Sequence, residues 1–379
     1  MRLSTDPAAR RRLAALSGAG LVALGAGVAV GAGRGADDPA LRRPASEQQR
    51  AERALAAVDR LSLRQQVGQV TVSSFPDRLP PGYIRRRLRA GETAGVILFG
   101  QNAGSRPEWR GLTRAVQRSA GGEALVMVDQ EGGDIRTVGF AGPRAGQPAQ
   151  GSAAAVRRAA RGAARQLAGA GVNANLAPVA DVSGGPASVM AGRAFSGDAR
   201  TVAAKTRAAI DGMEAAGVAA TAKHFPGLGR SAANTDDASA VVPGTLRGDL
   251  VPFRAAIDAD VPLVMLSHAL YPALDRRRIA SQSRPIATRL LRDELGYPGV
   301  VVTDSIEAQA VLDRSGVALA AERSIAAGAD LVLMTGSASW NLVHPYLLRR
   351  ARASKALREQ IRHSAARVLA LKRRLGLLR

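Results

Sequence analysis

The chain has 379 residues, a formal net charge of +22, 46% hydrophobic residues and no cysteine. This length gives room for one large domain or two ordinary ones with a sizeable core. The lack of cysteine excludes disulfides, thiolate zinc sites, a cysteine nucleophile and a lipid attached through cysteine. Arginine is spread along the chain and aromatic residues make up only 3% of it, so we expect no nucleic-acid partner. We interpret the charge as a basic exterior suited to anionic envelope polymer or a membrane surface.

The first 36 residues have the layout of an export signal. Three consecutive arginines precede an uncharged run at 13–33, and small residues for cleavage stand at 30–32. The run is long enough to span a bilayer but weakly hydrophobic. We therefore expect an exported protein, extracellular or in the cell envelope, with this segment as a cleaved signal or a retained anchor. A polar linker is predicted at 37–55 and one folded domain at 56–379.

From residue 60 onward, short β-branched runs alternate with Ala/Arg-rich segments of helical period. The clearest predicted helices, at 153–171 and 199–217, carry an apolar stripe and end at glycine. Strands are predicted at 67–72, 95–99, 124–129, 172–182, 218–225, 261–268, 299–304 and 329–335. This alternation predicts an α/β fold, a (β/α)8 barrel of the TIM type with parallel strands. A doubly wound sheet would give the same alternation.

Ionisable residues stand at the ends of five successive predicted strands. They are Asp129 and Glu131 after the third strand, Asp181 after the fourth, Lys223 and His224 after the fifth, His268 after the sixth and Asp304 after the seventh. The carboxyl ends of barrel strands meet at one rim, where chemistry takes place. Each such group must be desolvated or paired, so a purely structural protein has no reason to collect them there. We interpret the rim as an active site.

The residue types at the rim narrow the chemistry. The sequence has no H-E-x-x-H metal motif, no glycine-rich phosphate cradle outside the low-complexity N-terminus, and no G-x-S-x-G elbow at a strand end. Carboxylates dominate. They suit glycoside hydrolysis, in which one carboxylate attacks the anomeric carbon or supports its positive charge and a second group moves the proton. The sequence therefore predicts a glycosidase that needs no metal and no cofactor.

Seven motifs in chain order carry a family resemblance: "GVILFGQN", "VDQEGG", "NLAPVADV", "GRAFSGD", "KHFPGLG", "MLSHALYPALD" and "GYPGVVVTDS". From "LSLRQQVGQ" to "RVLALKRRLGL" the chain resembles glycoside hydrolase family 3, and more closely its single-domain bacterial β-N-acetylglucosaminidases. The resemblance implies a retaining hydrolase that removes terminal β-linked N-acetylhexosamine from small glycosides or peptidoglycan fragments. We expect such an enzyme to act as a monomer.

The resemblance also implies roles for individual residues. Asp304 matches the family's nucleophile, and a strand end would hold it rigidly beneath the anomeric carbon. Asp129 matches the residue that grips sugar hydroxyls, since an ionised acceptor can take two hydrogen bonds. Arg193, Lys223 and His224 match the donors around the same sugar. Two alternatives are a helix N-cap for Asp304 and a rim ion pair for Lys223.

The loop after the fifth strand departs from the family pattern. The family carries an Asp-x-His pair there, and its histidine serves as general acid/base. Here Asp236 matches the aspartate, but Ala238 stands in the place of the histidine, and no histidine occurs between His224 and His268. A proton donor contributes roughly 10²–10⁴-fold in rate, so Asp236 or Asp237 becomes the candidate general acid/base, because adjacent carboxylates repel and one pKa rises. Gly227 and Gly229 would supply a hinge for this loop. The alternative is that 234–236 forms only a local turn.

A second departure follows "DQEGG". The place of a family arginine is Thr137, and Arg136 beside it becomes the candidate substrate contact. The subsite and the preference for an N-acetyl sugar are therefore open. His268 is expected to support the rim structurally. Two other functions stay open as well: a β-glucosidase of the same family, whose members usually bring a further domain, and a catalytically silent sugar-binding barrel.

Overall fold

The computed structural model describes residues 47–378, so the predicted export segment and most of the predicted linker lie outside the described residues. The strands are β1 (Thr71–Ser73), β2 (Gly95–Ile97), β3 (Leu125–Val128), β4 (Gln130–Gly132), β5 (Ile135–Arg136), β6 (Ala174–Asn175), β7 (Ala219–Phe225), β8 (Leu263–Leu266), β9 (Leu270–Tyr271), β10 (Asp275–Ile279), β11 (Val300–Ser305) and β12 (Leu331–Leu333).

The α-helices are α1 (Glu47–Val58), α2 (Leu63–Gln69), α3 (Gly82–Arg89), α4 (Arg106–Ser119), α5 (Ala153–Gly169), α6 (Ala199–Glu214), α7 (Leu250–Asp258), α8 (Gln309–Leu312), α9 (Val317–Ala327), α10 (Ser339–Ala353) and α11 (Lys355–Arg374). A π-helical segment occupies Pro285–Glu294, and short 3₁₀ turns lie at Gly100–Asn102, Gln147–Ala149 and Ala280–Gln282. Among the described residues, none of these helices combines the length and the apolar character needed to cross a membrane.

Eight parallel strands close into a barrel in the order β1-β12-β11-β8-β7-β6-β3-β2. The (β/α)8 prediction is confirmed, and each barrel strand overlaps one of the eight predicted strands. The remaining strands form two antiparallel hairpins, β4 with β5 and β9 with β10. Both hairpins follow the end of a barrel strand and so belong to the end of the barrel that carries the charged residues.

Alternate residues along the strands face opposite sides, and this alternation builds two packing layers. On β3, Leu125 and Met127 belong to the cluster that fills the barrel, whereas Val126 and Val128 pack in the cluster against the helices. The interior cluster takes matching positions from β8, β11 and β12, and Val368 and Leu371 of α11 complete it. Both faces of each strand are therefore buried, which accounts for the continuous apolar runs in the sequence.

Local signals set the helix ends. Helix α4 begins with a capping box. The Ser105 side chain accepts the Glu108 backbone N–H, and the Glu108 side chain accepts the Ser105 backbone N–H. The two clearest predicted helices are confirmed as α5 and α6. These two helices pack closely at Gly212, where an added Cβ would lie 2.5 Å from the backbone oxygen of Arg157.

The first and fourth predicted strands differ from the structure. Residues 67–69 belong to α2, because Ser62 and Gln65 form a capping box that starts a helix there, and the strand begins only at Thr71. The fourth strand covers Ala174–Asn175 instead of 172–182. Pro178 has no N–H for the sheet ladder, and beyond it only an isolated bridge joins Val179 to Lys223.

Helix α1 begins at Glu47, inside the range interpreted as linker, so the linker does not extend to residue 55. Ala54 and Val58 are buried in the cluster that includes Leu357 and Ile361 of α11. The apolar spacing within "ERALAAV" explains this packing, since residues four apart lie on one face of a helix.

Candidate active site

Three of the predicted site residues continue the inward-facing alternation at the carboxyl ends of their strands. Asp129 follows Leu125 and Met127, Lys223 follows Ala219 on β7, and Asp304 follows Val300 on β11. The side chain of Asp129 is 27% exposed and that of Asp304 is 20% exposed, whereas that of Lys223 is only 3% exposed. The barrel therefore delivers two accessible carboxylates and one buried ammonium to the same mouth.

Lys223 joins two carboxylates. Its Nζ lies 2.7 Å from Asp129 Oδ1 and 2.7 Å from Glu131 Oε1. Burial alone would lower the pKa of this ammonium, but the two carboxylates outweigh it and raise the pKa above its usual value. The rim ion pair that was an alternative for Lys223 is thus present, and one ammonium fixes the position of two rim carboxylates.

Glu131 is a site residue whose role the sequence analysis missed. Its side chain is 3% exposed, and it accepts hydrogen bonds from Arg193 Nε at 3.0 Å and Arg193 Nη2 at 2.6 Å. Burial opposes its charge, but Lys223 and Arg193 lower the pKa of Glu131 to about 2. Asp129, Glu131, Arg193, Lys223 and Asp304 together form the charged rim. The signal in the sequence was Glu131's position two residues after Asp129.

His224 links two further carboxylates. Its Nδ1 lies 2.7 Å from Oδ2 of Asp181, a fully buried residue. An ionised carboxylate can only accept, so Nδ1 carries the hydrogen. Asp181 Oδ1 also accepts the backbone N–H of Leu228 at 2.6 Å, which fixes the chain after β7. The opposite ring atom, His224 Nε2, lies 3.9 Å from Asp304 Oδ2.

The surroundings of Asp304 favour its ionised form. Burial raises the pKa of this carboxyl, but His224, His268 and Lys223 together with the Ser305 N–H outweigh that effect, so the pKa lies below its ordinary value. Ser305 N–H donates to Asp304 Oδ1 at 2.8 Å. His268 supports this segment, as expected, because its Nε2 lies 2.8 Å from the Ser305 carbonyl oxygen. The site can therefore present a fixed anion at neutral pH.

The loop that carries Asp236 and Asp237 is attached to the chain beyond Asp304. The backbone carbonyl of Asp236 accepts the Gln309 N–H at 3.0 Å, and that of Thr235 accepts the Ala310 N–H at 3.1 Å. These two bonds hold the loop against the start of α8, five residues after the predicted nucleophile.

The two loop carboxylates have different surroundings. Asp236 is exposed, yet burial by nearby protein atoms and the charge of Asp304 raise the pKa of Asp236, against the opposing effect of the His224, His268 and Arg193 side chains. The Asp237 carboxylate is exposed and accepts a hydrogen bond from Asn234 Nδ2 at 3.2 Å. Of the two candidates, the structure brings Asp236 into the electrostatic field of Asp304, and ties Asp237 to the local turn.

The glycines expected to act as a hinge are closely packed. Gly227 and Gly229 are both buried. A Cβ on Gly227 would lie 2.7 Å from Cβ of Asp249, and one on Gly229 would overlap the backbone carbonyl of Val182. These glycines permit close approach of two chain segments, and their action as a hinge stays a prediction.

Arg136 lies on β5 and binds its own hairpin. Its Nε donates to the Gly133 carbonyl at 2.9 Å and its Nη1 to the Gly139 carbonyl at 3.3 Å. These bonds order the segment that follows Asp129 and Glu131. A direct contact of Arg136 with substrate stays a prediction.

The arrangement combines an ionised carboxylate, a second carboxyl with a raised pKa, and an array of fixed donors and acceptors. The described residues contain no group of three His, Asp or Glu side chains placed to hold a metal ion. Two carboxyls whose pKa values are driven apart are the usual equipment for acid–base work at one site. The geometry suits the breaking of a bond to a polar, hydroxyl-rich substrate.

Comparison with known proteins identifies relatives of this site and fold. Residues 62–371 match the model of the glycosyl hydrolase family 3 N terminal domain. A beta-hexosaminidase of Xanthomonas oryzae pv. oryzae is 36% identical over 261 residues, which cover 65% of this chain and 78% of the relative.

Two solved structures are also similar. A beta-N-acetylhexosaminidase from Beutenbergia cavernae has a TM-score of 0.76 and 33% identity, over 82% of this chain and 98% of that one. A glycoside hydrolase family 3 beta-N-acetylglucosaminidase from Paenibacillus has a TM-score of 0.79 and 33% identity, and the match covers 84% of this chain and 63% of that chain.

Proposed function

The chain belongs to glycosyl hydrolase family 3, and from that premise we propose that it is a retaining hydrolase that removes terminal β-linked N-acetylhexosamine, with Asp304 as nucleophile. The observation that carries the proposal is the position of Asp304. It is a fixed, partly exposed carboxylate whose pKa is lowered by neighbouring basic side chains and the Ser305 N–H, at the same mouth as Asp129 and Arg193. The names of the similar proteins support the choice of sugar.

The proposed reaction has two steps. Asp304 attacks the anomeric carbon as the glycosidic bond breaks, and Asp236 gives its proton to the leaving oxygen. A covalent glycosyl-enzyme results. Asp236, now a carboxylate, then takes a proton from the water that attacks the same carbon, and Asp304 leaves with its bonding electrons. The raised pKa of Asp236 and the lowered pKa of Asp304 support this division of roles.

The charged rim would grip the sugar. Asp129 receives one hydrogen bond from Lys223, so lone pairs remain on its carboxylate for two sugar hydroxyls. The Arg193 guanidinium uses Nε and Nη2 on Glu131 and keeps further N–H groups for a substrate oxygen, since its side chain is 24% exposed. Lys223 and His224 are more deeply buried, and would act mainly by holding Asp129 and Asp304 in place.

The proposal is tested by Asp304→Asn with an activated aryl N-acetylglucosaminide, whose leaving group needs little protonation. We expect kcat/KM to fall about 10⁴-fold, as when a catalytic carboxylate is removed. The matched control is Asp237→Asn, an exposed carboxylate that binds only its own turn, which should keep nearly full activity. Equal turnover by wild type and Asp304→Asn would remove the proposal.

The same assay separates the remaining alternatives. A higher kcat/KM for the aryl glucoside than for the aryl N-acetylglucosaminide would make the protein a β-glucosidase. A wild-type protein that binds the sugar but hydrolyses neither compound would be a silent binding barrel.

We further propose that the enzyme is exported and acts on cell-envelope fragments such as those of peptidoglycan. The basic residues followed by an uncharged run at 13–33 support export. Recovery of the protein from the cytoplasmic fraction alone would exclude export. Release of N-acetylglucosamine from purified muropeptides, measured against the Asp304→Asn variant, tests the substrate separately.

A further inference from the structure

A second basic site lies outside the charged rim. A cleft of about 230 Å³ is lined by Arg277, Arg278, Ile279, Gln282, Arg314 and Arg323. These residues form the arginine cleft. Arg277 and Arg278 lie on β10, after the sixth barrel strand, and Arg314 follows α8, after the seventh. The cleft is thus built from segments that follow barrel strands, and it shares none of its lining residues with the site described above.

The four arginines of the cleft have no carboxylate partner. Among residues 47–378, none of them forms an ion pair within 4 Å. The carboxylates next to them in sequence bind elsewhere: Asp275 accepts from Ser283 and the backbone of β10, Asp313 from Gln309 and Ser239, and Glu322 from Tyr346 and Arg350. Asp275 and Asp313 attract Arg278 and Arg314 only from a distance, so no guanidinium of the cleft has a carboxylate in direct contact.

Gln282 provides an independent observation. This residue is only 6% exposed, and its Nε2 is a buried donor without a hydrogen-bond partner in the described structure. A buried donor left unsatisfied is costly. The Gln282 side chain also lines the cleft, so an acceptor bound there would satisfy this donor after a rotation of the amide, and the four guanidinium groups around the same space define the charge of that acceptor.

We propose that the arginine cleft is a binding site for a phosphate-class anion. Guanidinium groups match tetrahedral oxyanions with paired N–H donors, and several of them together favour a multiply charged ligand over a single carboxylate. The volume suits a phosphate or diphosphate group rather than a complete oligosaccharide. Two sources share this chemistry: the free anion, and a phosphodiester in an anionic polymer. The proposal does not depend on the reaction assigned to Asp304.

Calorimetric titration of the full chain with pyrophosphate and with a soluble glycerol phosphate oligomer tests the site. The main variant is Gln282→Glu, which keeps the side-chain shape but places a carboxylate among the arginines. We expect it to weaken binding about tenfold or more while the protein stays folded, since a hydrogen bond to a charged group is lost and repulsion is added. Arg314→Ala combined with Arg323→Ala should show a similar loss.

The matched control is Arg157→Ala combined with Arg158→Ala. It removes the same charge from the exposed face of α5, and it should bind as the wild type does. Tighter binding of the oligomer per phosphate would identify a polymer as the source, and equal binding would identify the free anion. Failure of the wild type to bind either probe, or an equal loss in the α5 control, would overturn the proposal. Hydrolysis of an aryl N-acetylglucosaminide by Gln282→Glu should be unchanged, so the outcome is independent of the proposed function.

Discussion

The charged rim and the arginine cleft both collect basic side chains on segments that follow the carboxyl ends of barrel strands. In the rim, each cation meets a carboxylate at hydrogen-bond distance: Lys223 binds Asp129 and Glu131, and Arg193 binds Glu131 through two nitrogens. In the cleft, four arginines line a space that has no carboxylate in its lining, and the Nε2 group of Gln282 has no hydrogen-bond partner in the described structure. The cations of the rim are paired with carboxylates, whereas those of the cleft are not.

The difference shows what each cluster can do. In the rim, the buried side chains fix the positions of the accessible oxygens of Asp129 and Asp304. The charges of the rim thus help to define the geometry of the site. In the cleft, the exposed cations are solvated and can exchange water for a ligand of opposite charge. Paired charge is therefore associated with a rigid site, and unpaired charge with a site suited to binding an anion.

The largest of these effects is expected at Asp236, whose carboxyl lies in the electrostatic field of Asp304 in the charged rim. Asp236→Asn removes the proposed proton donor, and should lower kcat about 10²–10⁴-fold for substrates with poor leaving groups. Activated aryl glycosides should form the glycosyl-enzyme at nearly the normal rate, and added azide should restore turnover of that intermediate. Steady-state kinetics over a series of leaving groups measures this dependence.

The pH dependence of activity gives a second test of Asp236 as the proton donor. Wild-type activity requires ionised Asp304 and protonated Asp236, so it should fall as pH rises through the raised pKa of Asp236. Asp236→Asn should lose that alkaline limb, whereas the control Asp237→Asn should keep it. Retention of the limb in Asp236→Asn would assign the proton to another group.

Removing one carboxylate from the ion pairs of the rim should lower the free energy of unfolding. Glu131→Gln leaves Lys223 and Arg193 short of their shared carboxylate, and removal of one partner from a buried pair destabilises by about 3–5 kcal/mol. The folded pKa of Glu131 is about 2, below its unfolded value, so its stabilisation is complete above the unfolded pKa and is lost as pH falls towards 2. Urea denaturation at pH 7 and pH 3 measures both effects.

Glu322→Gln is the comparison for that experiment. Its partner Arg350 is 49% exposed, so solvent screens the pair and the loss should be clearly smaller than that of Glu131→Gln. Similar losses for the two variants would show that the rim pairs are no more than surface ion pairs.

Lys372 extends the comparison to a third arrangement, because it is buried with no ion pair within 4 Å among residues 47–378, and Glu123 acts on it only from a distance. Its Nζ donates to Gln69 Oε1 at 2.7 Å, and burial lowers the pKa of Lys372 to about 8. Between pH 8 and the higher unfolded pKa, the unfolded chain binds the extra proton, so stability should rise with pH in that range. Lys372→Met should abolish the rise and stabilise the protein by up to roughly 3 kcal/mol at pH 7.

Thermal or urea unfolding from pH 7 to pH 10.5 gives the readout. Lys355→Met, at an exposed position, should change neither the stability nor its pH dependence. A loss of stability in Lys372→Met would mean that the bond to Gln69 outweighs the cost of burying the charge.

The sequence was sufficient to predict the barrel fold, because each strand is a short apolar run that is buried on both faces. It was also sufficient to place Asp129, Lys223 and Asp304 at the barrel mouth, since the inward-facing alternation of each strand continues from the core to these positions. It could not place strand boundaries where local chemistry overrides the apolar pattern. The valine-containing run "VGQVTV" at 67–72 predicts a strand, but the capping box at Ser62 starts a helix that includes residues 67–69.

Long-range pairing was the part that the sequence could not provide. Glu131 and Arg193 are 62 positions apart, and Asp181 and His224 are 43 apart. Position at the rim shows that these groups are near the mouth, but not which of them meet. The arginine cleft escaped notice for the same reason, because its residues come from three separate segments, each ordinary by itself.

The smallest expected effect comes from supplying the missing charge to the cleft. Gln282→Glu gives four unpaired arginines one carboxylate, and should stabilise the protein by at most about 1 kcal/mol at low salt, because exposed pairs are screened and the buried carboxylate must lose water. Added salt should remove the gain, since the Debye length falls to about 3 Å at 1 M. Added pyrophosphate should stabilise the wild type more than the variant at the same concentration, because the variant binds it more weakly. A variant that unfolds earlier than the wild type at low salt would show that the arginines are already neutralised by solvent ions, and that the two clusters differ less than their geometry indicates.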